Sequence, residues 1–192
     1  MILLYTIKIM KGNKMKSVKQ TKSKDAIYKA LIRIMANKNF EDITIVEITK
    51  DANVARRTYY SNFESKYDII NYGNEIIIHK FIEILKSSNN YSFRVFTNLF
   101  FSYFKEYASL INLIEEVSIK NINTSFINTL LNYKNELNLY FNLSDDPYLF
   151  KFQIEYLTEI FKITLMKWYK NDFNEDIDTL ANVIISTKDI LR

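Results

Sequence analysis

Few residues in this chain have the types and spacing to do chemistry. His79 is the single histidine and cysteine is absent, which excludes a multi-histidine metal site, a thiol nucleophile, a cysteine-ligated zinc and a disulfide framework. Two glycines cannot write a P-loop or a GxGxxG phosphate loop. Asn-Gly and Asp-Gly hairpin turns are missing too, which argues against an all-β sandwich. The carboxylate pairs Glu115/Glu116, Asp145/Asp146 and Glu175/Asp176 are adjacent, so they diverge on a helix and read as solvated faces or caps, not as a hydrolase pair. Ser/His/Asp catalysis through His79 has no partner to which a motif points. No enzyme, catalytic residue, metal site or cofactor is expected. What remains is cationic: Arg56 and Arg57, followed by Tyr60, Ser61, Asn62 and Lys66, types that contact phosphates and base edges.

The elements that must position these residues carry the same signal. Residues 1–66 hold 14 Lys/Arg against 6 Asp/Glu, whereas residues 67–192 hold 12 against 16. A basic first third on an acidic remainder implies that only the N-terminal part approaches a polyanion. Residues 1–20 read as a disordered basic arm. Within it, the apolar run over 1–10 is too short to span a bilayer and lacks the flanks of a signal peptide. Lys11 to Lys14 fit purine-rich codons of a ribosome-binding sequence, so translation is expected to begin at Met15. Ser23 then precedes a helix with Ile27, Ala30, Leu31, Ile34 and Met35 on one face, ended by Asn37-Lys38-Asn39 with αL-tolerant Asn. Thr44 and Glu47 form a capping box that opens a second helix, with Ile45, Ile48 and Ala52 facing inward. Asn53 is the expected positive-φ residue of the turn that follows. A third helix over 55–63 buries Val54, Tyr59 and Phe63 and exposes Arg56, Arg57, Tyr60 and Ser61. Two short helices around a tight turn, the second basic outside, form a helix-turn-helix pattern.

Residues 43–68, ITIVEITKDANVARRTYYSNFESKYD, resemble the DNA-binding signature of the TetR family of bacterial transcriptional regulators. The resemblance rests on Ile43-Thr44-Ile45, Ile48, Ala52, Val54, Thr58-Tyr59-Tyr60, Phe63 and Lys66. Asn53 stands where the family has a turn glycine, Thr49 where it has a small residue, and Ala55 where it has a serine, which removes one N-cap oxygen. The resemblance implies an all-α chain of nine helices: a head over 21–66 and a helical effector-binding and dimerisation body over 67–192. It implies a cytoplasmic, homodimeric repressor that binds a pseudo-palindromic duplex operator and is released by a small molecule. Thr44, Ala55, Arg56, Arg57, Tyr60, Ser61, Asn62 and Lys66 are the DNA-contacting positions it implies, the two arginines reading bases and the others positioning.

The body reads as long apolar-periodic helices over about 66–87, 92–107, 109–117, 124–141, 147–169 and 177–191. Asp145-Asp146-Pro147 is a strong start signal. Aromatic residues at helical spacing are ordinarily core. Under the family resemblance, Tyr72, Ile76, His79, Phe96, Phe100, Phe104 and Tyr107 are the candidate pocket for an apolar or aromatic effector. The helix after Pro147 is apolar on two sides: Leu149, Phe152, Tyr156, Ile160 and Ile163 on one, and Phe150, Ile154, Leu157, Phe161, Leu165 and Trp168 on another. A helix of that kind is buried on both. The family places its last two helices in a dimer interface, here Phe152, Tyr156, Ile160, Ile163, Leu180 and Ile184. The rival reading is a TetR-like co-activator or interaction protein with little DNA binding of its own. Arg56, Arg57, Tyr60 and Lys66 weigh against it.

Overall fold

The computed structural model describes residues 18–116 and 122–190; the expected arm up to residue 17, the start at Met15 and Leu191 lie outside them. Every regular element among the described residues is helical. The α-helices are α1 Val18–Met35, α2 Ile45–Asp51, α3 Arg56–Tyr60, α4 Lys66–Lys86, α5 Phe93–Phe104, α6 Ala108–Glu116, α7 Ile122–Leu131, α8 Lys134–Asn138, α9 Pro147–Lys170 and α10 Ile177–Ile190. The helix expected over 124–141 is broken at Asn132 and Tyr133 into α7 and α8. Taken as one broken helix, the set has the nine-helix layout expected.

Two compact units make up the chain. One comprises residues 1–76 with 110–122, the other 77–109 with 123–192. Helix α4 is continuous through the division between Ile76 and Ile77.

In the first unit, α1 begins at Val18, before Ser23, the start expected for it. The residues from 18 to 24 include neither Pro nor Gly, so the helix extends through them at little cost in propensity. Its far end also differs from expectation, since Asn37 donates to the Ile34 carbonyl at 3.0 Å and Asn37–Asn39 stay at negative φ. A 3-10 turn, Phe40–Asp42, follows, capped by the Asn39 side chain. Ile27, Ala30, Leu31 and Met35 are buried with Tyr28 and Ile32, while Ile34 is only half-buried. Ile69 and Ile70 of α4 are also buried. Gly73 faces the ring of Tyr28, where a Cβ would lie 2.6 Å from Cζ.

The second unit has an aromatic core. Phe81, Phe96, Phe101, Phe104, Tyr107, Phe161 and Trp168 are all buried. Asp146 accepts from the Leu149 N–H at 2.9 Å to start α9, and Pro147 occupies its first turn as expected. The chain leaves α9 through Asp172 (φ 51) and Phe173 (φ 57), with the Phe173 N–H donating to the Trp168 carbonyl at 2.9 Å.

Candidate nucleic-acid interface

The head is built on a capped α2. Thr44 Oγ1 accepts from the Glu47 N–H at 3.3 Å, and Glu47 Oε2 accepts from the Thr44 N–H at 2.8 Å. Glu47 also takes a bond from Lys38 Nζ at 2.6 Å. That lysine first, and then the Thr44 N–H and hydroxyl, hold its carboxyl down to about 2. Arg33 reaches across from α1 to Asp51, donating from Nε at 2.9 Å and from Nη2 at 2.5 Å. Both ends of α2 are thereby fixed.

Asn53 adopts φ 52, the conformation expected of the turn residue, and its short polar side chain tolerates it. The Val54 N–H donates back to the Thr49 carbonyl at 3.0 Å, and the turn delivers the chain to Ala55, the N-cap of α3. Ala55 supplies no side-chain cap. Arg56, Arg57, Tyr60 and Ser61 are exposed, with Tyr60 at 60%. Tyr59 is fully buried, and burial pushes its hydroxyl up to about 12. The outer face of α3 is therefore cationic and hydroxyl-bearing, and its inner face is aromatic.

Two of the expected contact residues are placed otherwise. Lys66 is turned inward: Nζ donates to the carbonyls of Phe40 at 2.6 Å, Glu41 at 2.8 Å and Ile43 at 3.4 Å. It also sits 4.6 Å from the Phe40 ring centroid. An ammonium has three donors, and carbonyls along and just after the 3-10 turn, with the Glu41 carboxylate at 3.6 Å, surround it. Asn62 is also drawn in, donating from Nδ2 to Thr58 O at 2.6 Å and Ser23 Oγ at 3.3 Å. Both side chains are engaged within the head itself. Val46 is 47% exposed on α2 and was not singled out by sequence. The available signal was its place off the stripe of Ile45, Ile48 and Ala52.

The candidate effector residues divide. Phe96, Phe104 and Tyr107 are buried, and Phe100 packs between them, its ring centroid 4.4 Å from that of Phe104 and 5.9 Å from that of Phe81. Tyr72 belongs elsewhere. Its hydroxyl donates to Asp25 Oδ1 at 2.5 Å, and its ring meets Phe63 edge-on at 5.8 Å and Tyr28 at 6.4 Å, so it is part of the head's packing. Ile76 is half-buried at the end of the first unit. His79 is exposed and hydrogen-bonded to the Tyr133 hydroxyl, a surface pair and not a pocket wall.

The two apolar stripes of α9 have different fates. Phe150, Ile154, Phe161, Leu165 and Trp168 are buried, while Phe152 (60%), Tyr156 (51%) and Ile163 (51%) are exposed and Ile160 is half-buried. Leu180 and Ile184, grouped with the exposed stripe on sequence, are buried within the chain. Helix α10 packs on α5, with Arg94 Nη2 donating to Asn182 Oδ1 at 2.7 Å and Asn98 Nδ2 to Asp178 Oδ1 at 3.2 Å. That packing turns its apolar side inward.

Among the described residues every regular element is helical, and the first unit carries a helix-turn-helix whose outer face is basic. No family sequence model matches the chain, and no curated protein matches it in sequence. Solved structures do. The fatty acid degradation regulator FadR from Bacillus halodurans superposes with a TM-score of 0.59 at 17% identity, covering 89% of this chain and 94% of that one. The transcriptional regulator FadR from Bacillus subtilis, solved with stearoyl-CoA, gives 0.51 at 19% identity over 84% and 95%. FadR from Thermus thermophilus, a TetR-family transcriptional repressor solved with lauroyl-CoA, gives 0.50 at 14% identity over 85% and 91%. The fold is that of the TetR-family regulators, as the signature at 43–68 implied.

Proposed function

We propose that this chain is a transcriptional repressor that binds a pseudo-palindromic duplex operator as a homodimer and is released by a small apolar effector. The observation that carries this reading is the outer face of α3. Arg56, Arg57 and Tyr60 stand exposed on a helix that a capped α2 and a positive-φ Asn53 hold out from the head. Arginine bidentate to guanine is the commonest specific base contact in the major groove, and Tyr60, Ser61 and Thr44 have hydroxyls for phosphate. The exposed stripe Phe152, Tyr156 and Ile163 of α9 supports a two-fold interface.

For the effector we propose a long-chain acyl thioester. Two proteins of the same fold were solved with stearoyl-CoA and lauroyl-CoA, and the second unit offers a matching apolar interior of phenylalanine rings. An acyl chain entering there has to part Phe100 and Phe104, which are in ring contact. The effector would act through α4, the helix both units share. Linkage then requires that operator and effector weaken each other by the same factor, typically 1–3 kcal/mol of coupling.

Operator selection from random duplexes, followed by calorimetric titration of lauroyl-CoA with and without the selected operator, tests the reading. A selected pseudo-palindrome and a lower acyl-CoA affinity in its presence are the expected results. No enriched sequence would refute the repressor, and equal affinities would refute release by acyl thioesters.

A further inference from the structure

A cleft of about 290 Å3 lies on the first unit, walled by Lys22, Asp25, Ala26, Lys29 and Arg33 of α1 and by Ala52. Its charges are not equivalent. Arg33 is taken up by Asp51, and Asp25 accepts the Tyr72 hydroxyl. Lys22 is exposed and Lys29 half-buried, and neither forms an ion pair with any described residue. Seven positions separate them, so they share one face of α1 at a spacing of about 10 Å along the axis. Ala52, on the far wall, precedes by one residue the Asn53 turn, and Ala55 and Arg56 begin α3 directly after it. At no more than about 3.6 Å per residue, the cleft lies within roughly 15 Å of the base-reading helix.

From this placement we infer that the α1 cleft is a phosphodiester-binding site, with Lys22 and Lys29 clasping the backbone of the DNA strand that borders the groove α3 enters. The site adds affinity without adding sequence preference, because a phosphate carries no base identity. Arg33 lends field but stays with Asp51, and the Tyr72 hydrogen bond engages one oxygen of the single carboxylate on the cleft wall. This inference rests on the head binding duplex DNA, as proposed above.

The experiment uses the full chain and a fluorescein-labelled 30-bp duplex of random sequence, titrated by anisotropy across a salt series. Each phosphate contact contributes about 0.9 to the slope of log K against log salt. The Lys22→Ala/Lys29→Ala variant is expected to lose roughly one to two from that slope per head, and Lys29→Arg to keep the wild-type value. On a selected operator, the double variant should lose affinity by the same factor as on random duplex. If the wild type binds duplex and the double variant keeps its slope unchanged, the cleft is overturned and the repressor reading stands. A wild type without salt-dependent duplex binding overturns both. Inorganic phosphate at constant ionic strength separates the other source of the same chemistry. If it raises the melting temperature of wild type but not of the double variant, while the DNA slopes coincide, the cleft takes a free anion and the DNA assignment falls.

Discussion

Tyr59 illustrates how a single atom can count against a fold. Its ring fills the centre of the head, yet its buried hydroxyl has no hydrogen-bond partner among the described residues. A buried unsatisfied hydroxyl costs about 1–3 kcal/mol. Tyr59→Phe removes the oxygen and keeps the ring, so the variant should melt higher, with a gain of about 1 kcal/mol in urea unfolding. Glu47 makes a different residue-scale prediction. Its carboxyl falls from the ordinary 4.5 to about 2 on folding, with the Lys38 bond the largest cause. A depressed folded value means stability that is present above 4.5 and lost as pH falls from there through about 2. Acid titration of the melting temperature should show that loss in wild type and a flatter profile in Glu47→Gln. An identical acid limb in the two proteins would mean that the capping box contributes nothing to the pH dependence.

Among the elements, α4 has the most demands placed on it. Near its start Lys66 bonds three carbonyls; near its middle Gly73 admits the Tyr28 ring; at its end the Leu85 carbonyl accepts the Tyr140 hydroxyl at 2.9 Å. On propensity alone Gly73→Ala should stabilise a helix interior by about 1 kcal/mol. Here the new methyl meets a buried ring, and overpacking of that kind costs about 1–3 kcal/mol. The variant is therefore expected to be less stable, measured by urea unfolding, and a more stable variant would mean that Tyr28 yields freely. Lys66→Ala should likewise destabilise the head, by about 1.5–3 kcal/mol for charge-assisted bonds. Because the ammonium faces carbonyls, the salt slope of DNA binding should be unchanged at temperatures where the variant is folded.

For the whole molecule, the exposed stripe of α9 is where the proposed two-fold interface is tested. Phe152, Tyr156 and Ile163 present apolar area that association would remove from water, and obligate dimer interfaces are apolar in this way. Phe152→Glu should leave the fold intact and yield a monomer by light scattering at micromolar concentration. Ile184→Glu should behave differently, because Ile184 is 5% exposed inside the chain: an unpaired buried carboxylate unfolds the subunit or aggregates it. Two soluble dimers from these substitutions would exclude α9 from the interface. In the head, replacing Arg56 or Arg57 with Ala should cost about 1–3 kcal/mol on a selected operator and relax its sequence preference.

What the chain determined by itself was local. The capping box at Thr44 and Glu47, the αL turn at Asn53, the Asp146-Pro147 start of α9 and the outward face of α3 all depend on neighbours within a few positions, so residue type and spacing suffice to read them. Tertiary structure decided which of several admissible partners each side chain met. A lysine at position 66 can reach a phosphate or a carbonyl, and the fold brings the end of the 3-10 turn to it. Tyr72 and Tyr107 are alike in sequence terms, but one packs on α1 and the other in the aromatic core of the second unit. The two stripes of α9 are equally apolar, and only the position of the phenylalanine-rich core says which one is covered. The cleft at Lys22 and Lys29 was invisible for the same reason, since its far wall comes from a residue 23 positions after Lys29.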